Sequence, residues 1–299
     1  MTEPTTAEHS PEVEETPCNL CGSHDTELVL TGTDLRRRVP GTFRVVRCAR
    51  CGLAFVNPRP TAAAIARYYP TDYAPHRATP PSAAERLYYA AFRTPPVARG
   101  ARVLDVGCGG GRYLHFLRGR GYEAAGTEVD TAVAERVRED TGFEIYCGML
   151  PDVDIPPESF DAVTLWWVLE HTHDPLATLR AAHRALRPGG QLVVSVQNFA
   201  SLGRLVFGRF WHHLDLPGHL YQFEPRTLRA LLARAGFTTW RLRHDPIAKD
   251  MAPSLGYALR LERTLDLPAF NLASLPFDFA GWVLRRSGLI TAYAIRPQD

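Results

Sequence analysis

The sequence predicts an α/β fold around a mostly parallel sheet, with a small cysteine-bearing module ahead of it. From Ala101 onward, short apolar runs alternate with amphipathic stretches, the pattern of strand–helix–strand units stacked on a buried sheet. The first run leads into a glycine-rich turn, Gly107-Cys-Gly109-Gly-Gly111, and then into a helical stretch. Upstream lie two Cys-x-x-Cys pairs flanked by short β-prone segments.

Residues 1–17 are acidic and rich in Pro and Thr, and read as a disordered tail with too little apolar surface to offset the entropy of ordering. Residues 18–60 hold the cysteine pairs, with strands expected at 27–30 and 42–46. Residues 61–98 start a helix at Thr61 but are interrupted by Pro70, Pro75, Pro80, Pro81, Pro95 and Pro96, so they form a connecting segment with short helices. In the α/β region, 99–299, strands are expected at 102–106, 122–128, 144–146, 160–166, 191–197, 237–244 and 288–295. Helices are expected at 112–120, 132–141, 175–186 and 227–235, the third ended by Arg187-Pro188-Gly189-Gly190 and the last by Gly236. Residues 199–226 make a long connection, and 246–287 an irregular insertion.

Composition narrows the function. In 299 residues, 45% are hydrophobic, enough for a sizeable core. Lys plus Arg (34) nearly balance Asp plus Glu (32), giving a net charge of +2, too even for a broad phosphate-binding face. A small molecule is the expected partner, and nucleic acid is not. No apolar run approaches the roughly eighteen residues of a membrane span, and the first residues lack the basic-then-apolar order of a secretory signal, so a soluble cytoplasmic protein is expected.

Cys18-Asn-Leu-Cys21-Gly and Cys48-Ala-Arg-Cys51-Gly have zinc-ribbon spacing. Two intervening residues let both thiolates of a pair bind one metal, and the glycine permits the left-handed turn that follows. Four thiolates fill the tetrahedron of Zn²⁺ and leave no place for water, so the expected site is structural. A pair of redox dithiols would need a βαβ setting this segment lacks. Cys108 and Cys147 stand alone and are expected in the core.

The glycine turn lets a ligand lie against backbone near a helix N-terminus. Asp105 precedes it within the strand, and Glu128 ends the next strand seventeen residues after Gly111, where a carboxylate can bind two ribose hydroxyls. A dinucleotide site would want a further glycine where Arg112 stands. This arrangement resembles the class I S-adenosylmethionine-dependent methyltransferases. So do Ser159-Phe-Asp-Ala-Val-Thr-Leu-Trp-Trp-Val-Leu-Glu170-His171, the Pro188-Gly189-Gly190 turn, and the Ala235-Gly236-Phe237 stretch. The resemblance implies a Rossmann-like, doubly wound, mostly parallel seven-stranded sheet and S-adenosyl-L-methionine as methyl donor. It places Asp105, Gly107, Gly109 and Gly111 around the cofactor's methionine part, with Trp166 nearby. Glu128 would hold the ribose, and Met149 and Leu150 the adenine, through apolar contacts and backbone groups in place of the usual acid. Asn57-Pro-Arg-Pro60 with Tyr68, Tyr69 and Tyr73 is similar to a bacterial subgroup with an N-terminal zinc ribbon, which commonly modifies sugars or natural-product scaffolds. There Tyr69 and Tyr73 either close over cofactor or substrate or pack the ribbon onto the catalytic region.

Transfer to a hydroxyl or amine requires removal of its proton, a task suited to histidine near neutral pH. His171, just past a strand's carboxyl end, and His219, in the long connection, are the candidate bases; each could instead fix a loop by hydrogen bonds. His212 and His213 are expected on a surface loop, and Arg36–Arg38 as a solvated charge run. Metal-binding quinone-pathway O-methyltransferases carry Glu-Val-x-Glu-His here; this chain keeps Glu170-His171 but has Trp167 in place of the first Glu, which argues against metal-assisted methylation. The alternatives are an RNA methyltransferase with a zinc ribbon and a cofactor-binding protein without transfer activity.

Overall fold

The computed structural model describes residues 12–69, 80–246, 250–261 and 268–298, with the backbone alone at 268–271. The N-terminal module contains β1 (Val13–Glu14), β2 (Thr26–Gly32), β3 (Phe43–Cys48), β4 (Ala54–Val56) and β5 (Arg59–Pro60). β2, β3 and β4 form an antiparallel sheet, while β1 pairs with β5. Residues 12–17, expected in the disordered tail, are therefore ordered from Val13 onward. Arg59 Nε donates to Glu14 Oε1 at 2.8 Å, a partner 45 residues distant that composition cannot show. Residues 1–11 and Tyr73 lie outside the described residues.

α1 (Ala83–Phe92) opens on a capping box between Ser82 and Glu85. Then follow β6 (Arg102–Val106), α2 (Arg112–Gly119), β7 (Glu123–Glu128), α3 (Thr131–Thr141), β8 (Glu144–Cys147), β9 (Phe160–Trp166), α4 (Pro175–Ala185) and β10 (Leu186–Gln197). The chain continues through α5 (Leu202–Phe207), β11 (Tyr221–Gln222), α6 (Pro225–Arg234), β12 (Thr238–His244), α7 (Met251–Ala258), α8 (Pro268–Val283) and β13 (Leu289–Ile295). The strand order β12-β13-β10-β9-β6-β7-β8, parallel except for β13, is the Rossmann-like seven-stranded sheet the sequence predicts. β10 starts at Leu186: its pairing with β9 is irregular between Leu186 and Gln191, so the expected Arg-Pro-Gly-Gly break is a bulge inside the strand.

Within 246–287, where the sequence suggested irregular chain, Met251–Ala258 and Pro268–Val283 are helical. α8 includes Pro276 and has Asp278 as its sole charged residue, so no polar stripe reveals a 3.6-residue period. Cys108 is buried as expected, but Cys147 is exposed at the end of β8. Among the described residues no helix is long and apolar enough to cross a membrane.

The module does not have a core to itself. Leu20, Val46, Leu53 and Phe55 belong to one apolar cluster with Leu104, Leu165, Leu220, Tyr221 and Phe223. β11 adds to the module's sheet by pairing with β4, and Phe55 stacks on Tyr221 at 6.2 Å. The segment between β10 and α6 is thus pinned to the module at the carboxyl edge of the large sheet.

Candidate active site

The four cysteines converge. Each knuckle closes by a backbone hydrogen bond, Gly22 N to Cys18 O at 2.7 Å and Gly52 N to Cys48 O at 2.9 Å, and Gly22 and Gly52 take φ of +76° and +82°. Cys18 and Cys51 Sγ lie 3.4 Å apart, Cys21 and Cys48 Sγ 3.5 Å, and all four sulfurs fall within 4.8 Å of one another. Zn–S bonds of about 2.3 Å imply a tetrahedral edge of about 3.8 Å, so the cage has the right size. Burial opposes ionisation of Cys48, but the backbone N–H groups of Cys51 and Arg50 bring its pKa down to about 7, suiting a thiolate ligand. The first knuckle is tied to α4, where Asn19 Nδ2 donates to Asp174 Oδ1 and Leu176 N to Asn19 Oδ1, each at 2.9 Å.

At the end of β6, Gly107, Gly109 and Gly111 all adopt positive φ. A Cβ at Gly107 would meet Val168 at 2.8 Å, so only glycine fits beneath the loop that follows β9. Glu128 is buried, its carboxylate accepting from Gly109 N and Asp130 N, each at 2.9 Å, so it clamps the glycine loop. Asp105 lies inside the sheet and accepts from Thr164 Oγ1 at 2.7 Å. Burial pushes its pKa up to about 7, against the opposing pull of Thr164 and Arg93. Met149 is half-buried at the end of β8. Leu150 differs from expectation: its side chain is in the core cluster, and its carbonyl receives Thr178 Oγ1 at 3.1 Å, leaving only backbone toward an adenine.

Arg93, which sequence reasoning missed, follows α1 and is only 6% exposed. Its guanidinium makes no hydrogen bond among the described residues and is caged by Tyr88, Tyr89, Trp166 and Trp167, the last ring centroid 4.1 Å away. Tyr89 and Arg93, one helical turn apart, were the available signal. Trp166 thus forms part of a cation cage beside the glycine loop. Trp167 holds φ at +59°, a strained value for a side-chain-bearing residue, as the chain turns toward Glu170-His171.

That turn, the short 3₁₀ helix Leu169–His171, sits at the carboxyl edge of β9 and packs against the 199–226 segment. His171 and His219 rings stand 4.6 Å apart, and donor atoms of Glu170, His171 and His219 all lie within 4.8 Å. His171 Nδ1 contacts Gly218 O at 2.9 Å and Tyr69 Oη at 2.8 Å, and His219 Nδ1 contacts His213 O at 2.8 Å. A carbonyl only accepts, so both Nδ1 atoms carry the proton and both Nε2 atoms keep a lone pair. Burial holds both imidazoles below their ordinary pKa, His219 at about 3, although Asp215 pulls the other way. Burial also pushes Glu170 up to about 8, and its Oε2 has no hydrogen-bond partner among the described residues.

Two expectations are corrected here. Arg36 and Arg37 are not a solvated run: they bind Asp215 at 2.9 and 3.2 Å. Burial disfavours the Asp215 carboxylate, but His219, Arg36 and Arg37 hold its pKa far below the usual range. The signal for this was absent, since these partners are 178 and 179 residues apart. His212 and His213 are not a surface loop. His212 N donates to Ser254 Oγ at 2.9 Å, and His213 Nε2 lies 3.5 Å from Asp250, which also receives Trp211 Nε1 at 2.8 Å. The segments 199–226 and 246–287 are thereby joined by buried polar contacts.

A glycine loop with a carboxylate at the next strand end, and neutral imidazoles at the adjoining strand edge, can hold a nucleoside cofactor against a proton-bearing acceptor. Comparison with known proteins agrees. The methyltransferase domain family matches residues 76–242. A ubiquinone biosynthesis O-methyltransferase of Xanthomonas axonopodis pv. citri is 32% identical over 199 residues, 58% of this chain and 82% of the relative. One from Pseudomonas syringae pv. tomato is 38% identical over 105 residues, 33% of this chain, and that match spans only 45% of the relative. The fold is shared with a chain in the complex of the Haloferax volcanii Trm112 methyltransferase activator with a methyltransferase, at TM-score 0.53 and 20% identity, covering 71% of this chain and 90% of that one. With this fold, this glycine loop and these matches, the chain belongs to the methyltransferase domain family, whose methyl donor is S-adenosylmethionine.

Proposed function

We propose that the chain methylates a hydroxyl of a small molecule, a sugar or natural-product scaffold, with His171 or His219 as general base. The observation that carries this reading is the neutral imidazole pair, His219 buried and His171 half-buried, each Nδ1 engaged by a backbone carbonyl and each Nε2 left with its lone pair. In-line displacement from a sulfonium needs the nucleophile positioned and its proton removed, and no further activation. The O-methyltransferase names of the relatives support oxygen as the methylated atom. S-adenosylmethionine supplies the electrophilic methyl group when bound. The glycine loop gives its methionine part room, Glu128 pairs with the ribose, and Met149 with the backbone around it borders the adenine. The caged Arg93 guanidinium receives the methionine carboxylate. Zn²⁺ in the cage of Cys18, Cys21, Cys48 and Cys51 is structural.

The test is a panel of phenols, catechols and nucleotide sugars incubated with protein and cofactor. S-adenosylhomocysteine should accumulate with one acceptor class, and the product should carry one added methyl on oxygen. Cofactor binding with no S-adenosylhomocysteine formed with any acceptor, RNA included, would favour a binding protein without transfer. A second reading rests on the unpartnered Glu170 Oε2 beside both imidazoles, a trio that could hold a divalent cation. Transfer that appears only on adding Mg²⁺ or Mn²⁺, with the ribbon zinc retained, selects it over the free base.

A further inference from the structure

A groove of about 580 Å³, within the range of small-molecule sites, opens at the outer edge of the seven-stranded sheet. Its walls include Arg229 of α6, Leu242, Arg243 and His244 of β12, and Trp282 and Arg285 at the end of α8. Among the described residues no carboxylate lines it. β12 is three strands from β9, so the groove lies roughly 14 Å across the sheet from the imidazole pair, at about 4.8 Å per strand.

The three guanidiniums differ in their surroundings. Arg243 is offset by Asp245, Nε to Oδ1 at 2.8 Å, and also donates to Phe92 O. The guanidiniums of Arg229 and Arg285 make no hydrogen bond or ion pair among the described residues. They bring two positive charges to the groove that no described residue pairs with. His244 adds a polar atom in want of a partner, because its Nδ1 is buried without one. Burial first and the Arg285 guanidinium second keep His244 below its ordinary pKa. The indole of Trp282, 41% exposed and 5.5 Å from the ring of Phe279, supplies an apolar wall.

We propose that this groove binds the phosphate group of a ligand whose remainder is apolar or planar. Two free guanidiniums match a phosphate monoester, which carries about −1.5 to −2 charges at pH 7, better than a single carboxylate. Guanidinium forks suit its oxygens, and the indole suits an acyl, prenyl or aromatic remainder. The site is independent of the methyl-transfer reading, since none of its residues touches the glycine loop or the histidines.

Binding of inorganic pyrophosphate to the full-length, zinc-replete protein at low ionic strength, followed by calorimetry, tests the site directly. Cosedimentation with vesicles containing phosphatidic acid, whose headgroup is a phosphate monoester, against phosphatidylcholine alone, tests whether a lipid headgroup is the source. The key variant is Arg229→Ala/Arg285→Ala, at two exposed positions whose loss costs the fold no hydrogen bond. Pyrophosphate affinity should fall at least tenfold in it, and by less in Arg229→Lys/Arg285→Lys. Vesicle binding that disappears in the alanine variant and in Trp282→Ala assigns the phosphate to a headgroup; pyrophosphate binding alone assigns it to a free ligand. Absence of binding in both arms, or binding unchanged in the alanine variant, overturns the proposal.

Discussion

The cysteine cage and the imidazole pair each gather side chains at one point, but different parts of the chain hold them there. Each cysteine knuckle is shaped by its own backbone, with a glycine turn and a hydrogen bond inside a few residues. The histidines are oriented by groups far off in sequence: Tyr69 reaches His171, and Arg36 and Arg37 fix the Asp215 that faces both rings. A site built locally is written in spacing. One built by tertiary contacts exists only once the module has docked, and this makes the module part of the candidate site's wall.

The greatest loss is expected from breaking the cage. Zinc binding by a structural cysteine site contributes about 10–16 kcal/mol, comparable with the whole stability of a domain at about 5–15 kcal/mol. Cys48→Ser should therefore unfold the module, expose Phe55 and Tyr221, and give protein without a cooperative native transition. Elemental analysis of native protein should find one zinc per chain. Native protein that contains no zinc and melts normally would show that the cysteines are merely packed.

That asymmetry also explains how much could be read in advance. Strands 102–106 and 160–166 were placed to the residue because each is a buried apolar run bounded by glycine or acid. Gly107, Gly109, Gly111 and Glu128 were legible because a turn and a strand end fix their positions. Arg93, Asp215 and the pairing of Arg36 and Arg37 were not, since an arginine reads as solvated until something covers it. α8 was missed for the converse reason: its only charge, Asp278, is buried, so the helix shows no polar face to betray its period.

Next in size is the loss of a base. His171→Ala and His219→Ala should leave cofactor affinity within a few-fold, while one of them slows transfer by about 10²–10⁴, the usual cost of a missing general base. Single-turnover rates with the acceptor found by the panel decide between the rings. If both variants transfer at nearly the parent rate, the pair only fixes the loop. A smaller effect separates the two ends of the cofactor. Glu128→Ala should weaken S-adenosylmethionine binding by about 1–3 kcal/mol, and Arg93→Ala by a similar amount. Methylthioadenosine, which has no carboxylate, should feel the first substitution and not the second. Equal losses for both ligands in Arg93→Ala would assign that residue to packing of the aromatic cage.

The smallest effect links the two regions most directly. Because His171 and His219 have depressed pKa values in the fold, transfer should not decline as pH falls through 6.5; the loss should come at lower pH, where the folded imidazoles finally protonate. The same depression makes the native state less stable below the unfolded value near 6.5, since the unfolded chain takes up protons that the fold refuses. Asp215 favours the imidazolium forms, whereas Arg36 and Arg37 oppose protonation of His171. Arg36→Ala/Arg37→Ala should therefore move the acid limb of the rate upward, and Asp215→Asn should move it further down. Well above the limb, where the imidazoles are neutral in the parent and in both variants, the rates should stay close to the parent's. Simple loosening of the loop would lower the rate in both at every pH, with the limb unmoved. Opposite shifts of the limb are the outcome that only electrostatic control of the imidazoles by the cysteine-bearing module produces.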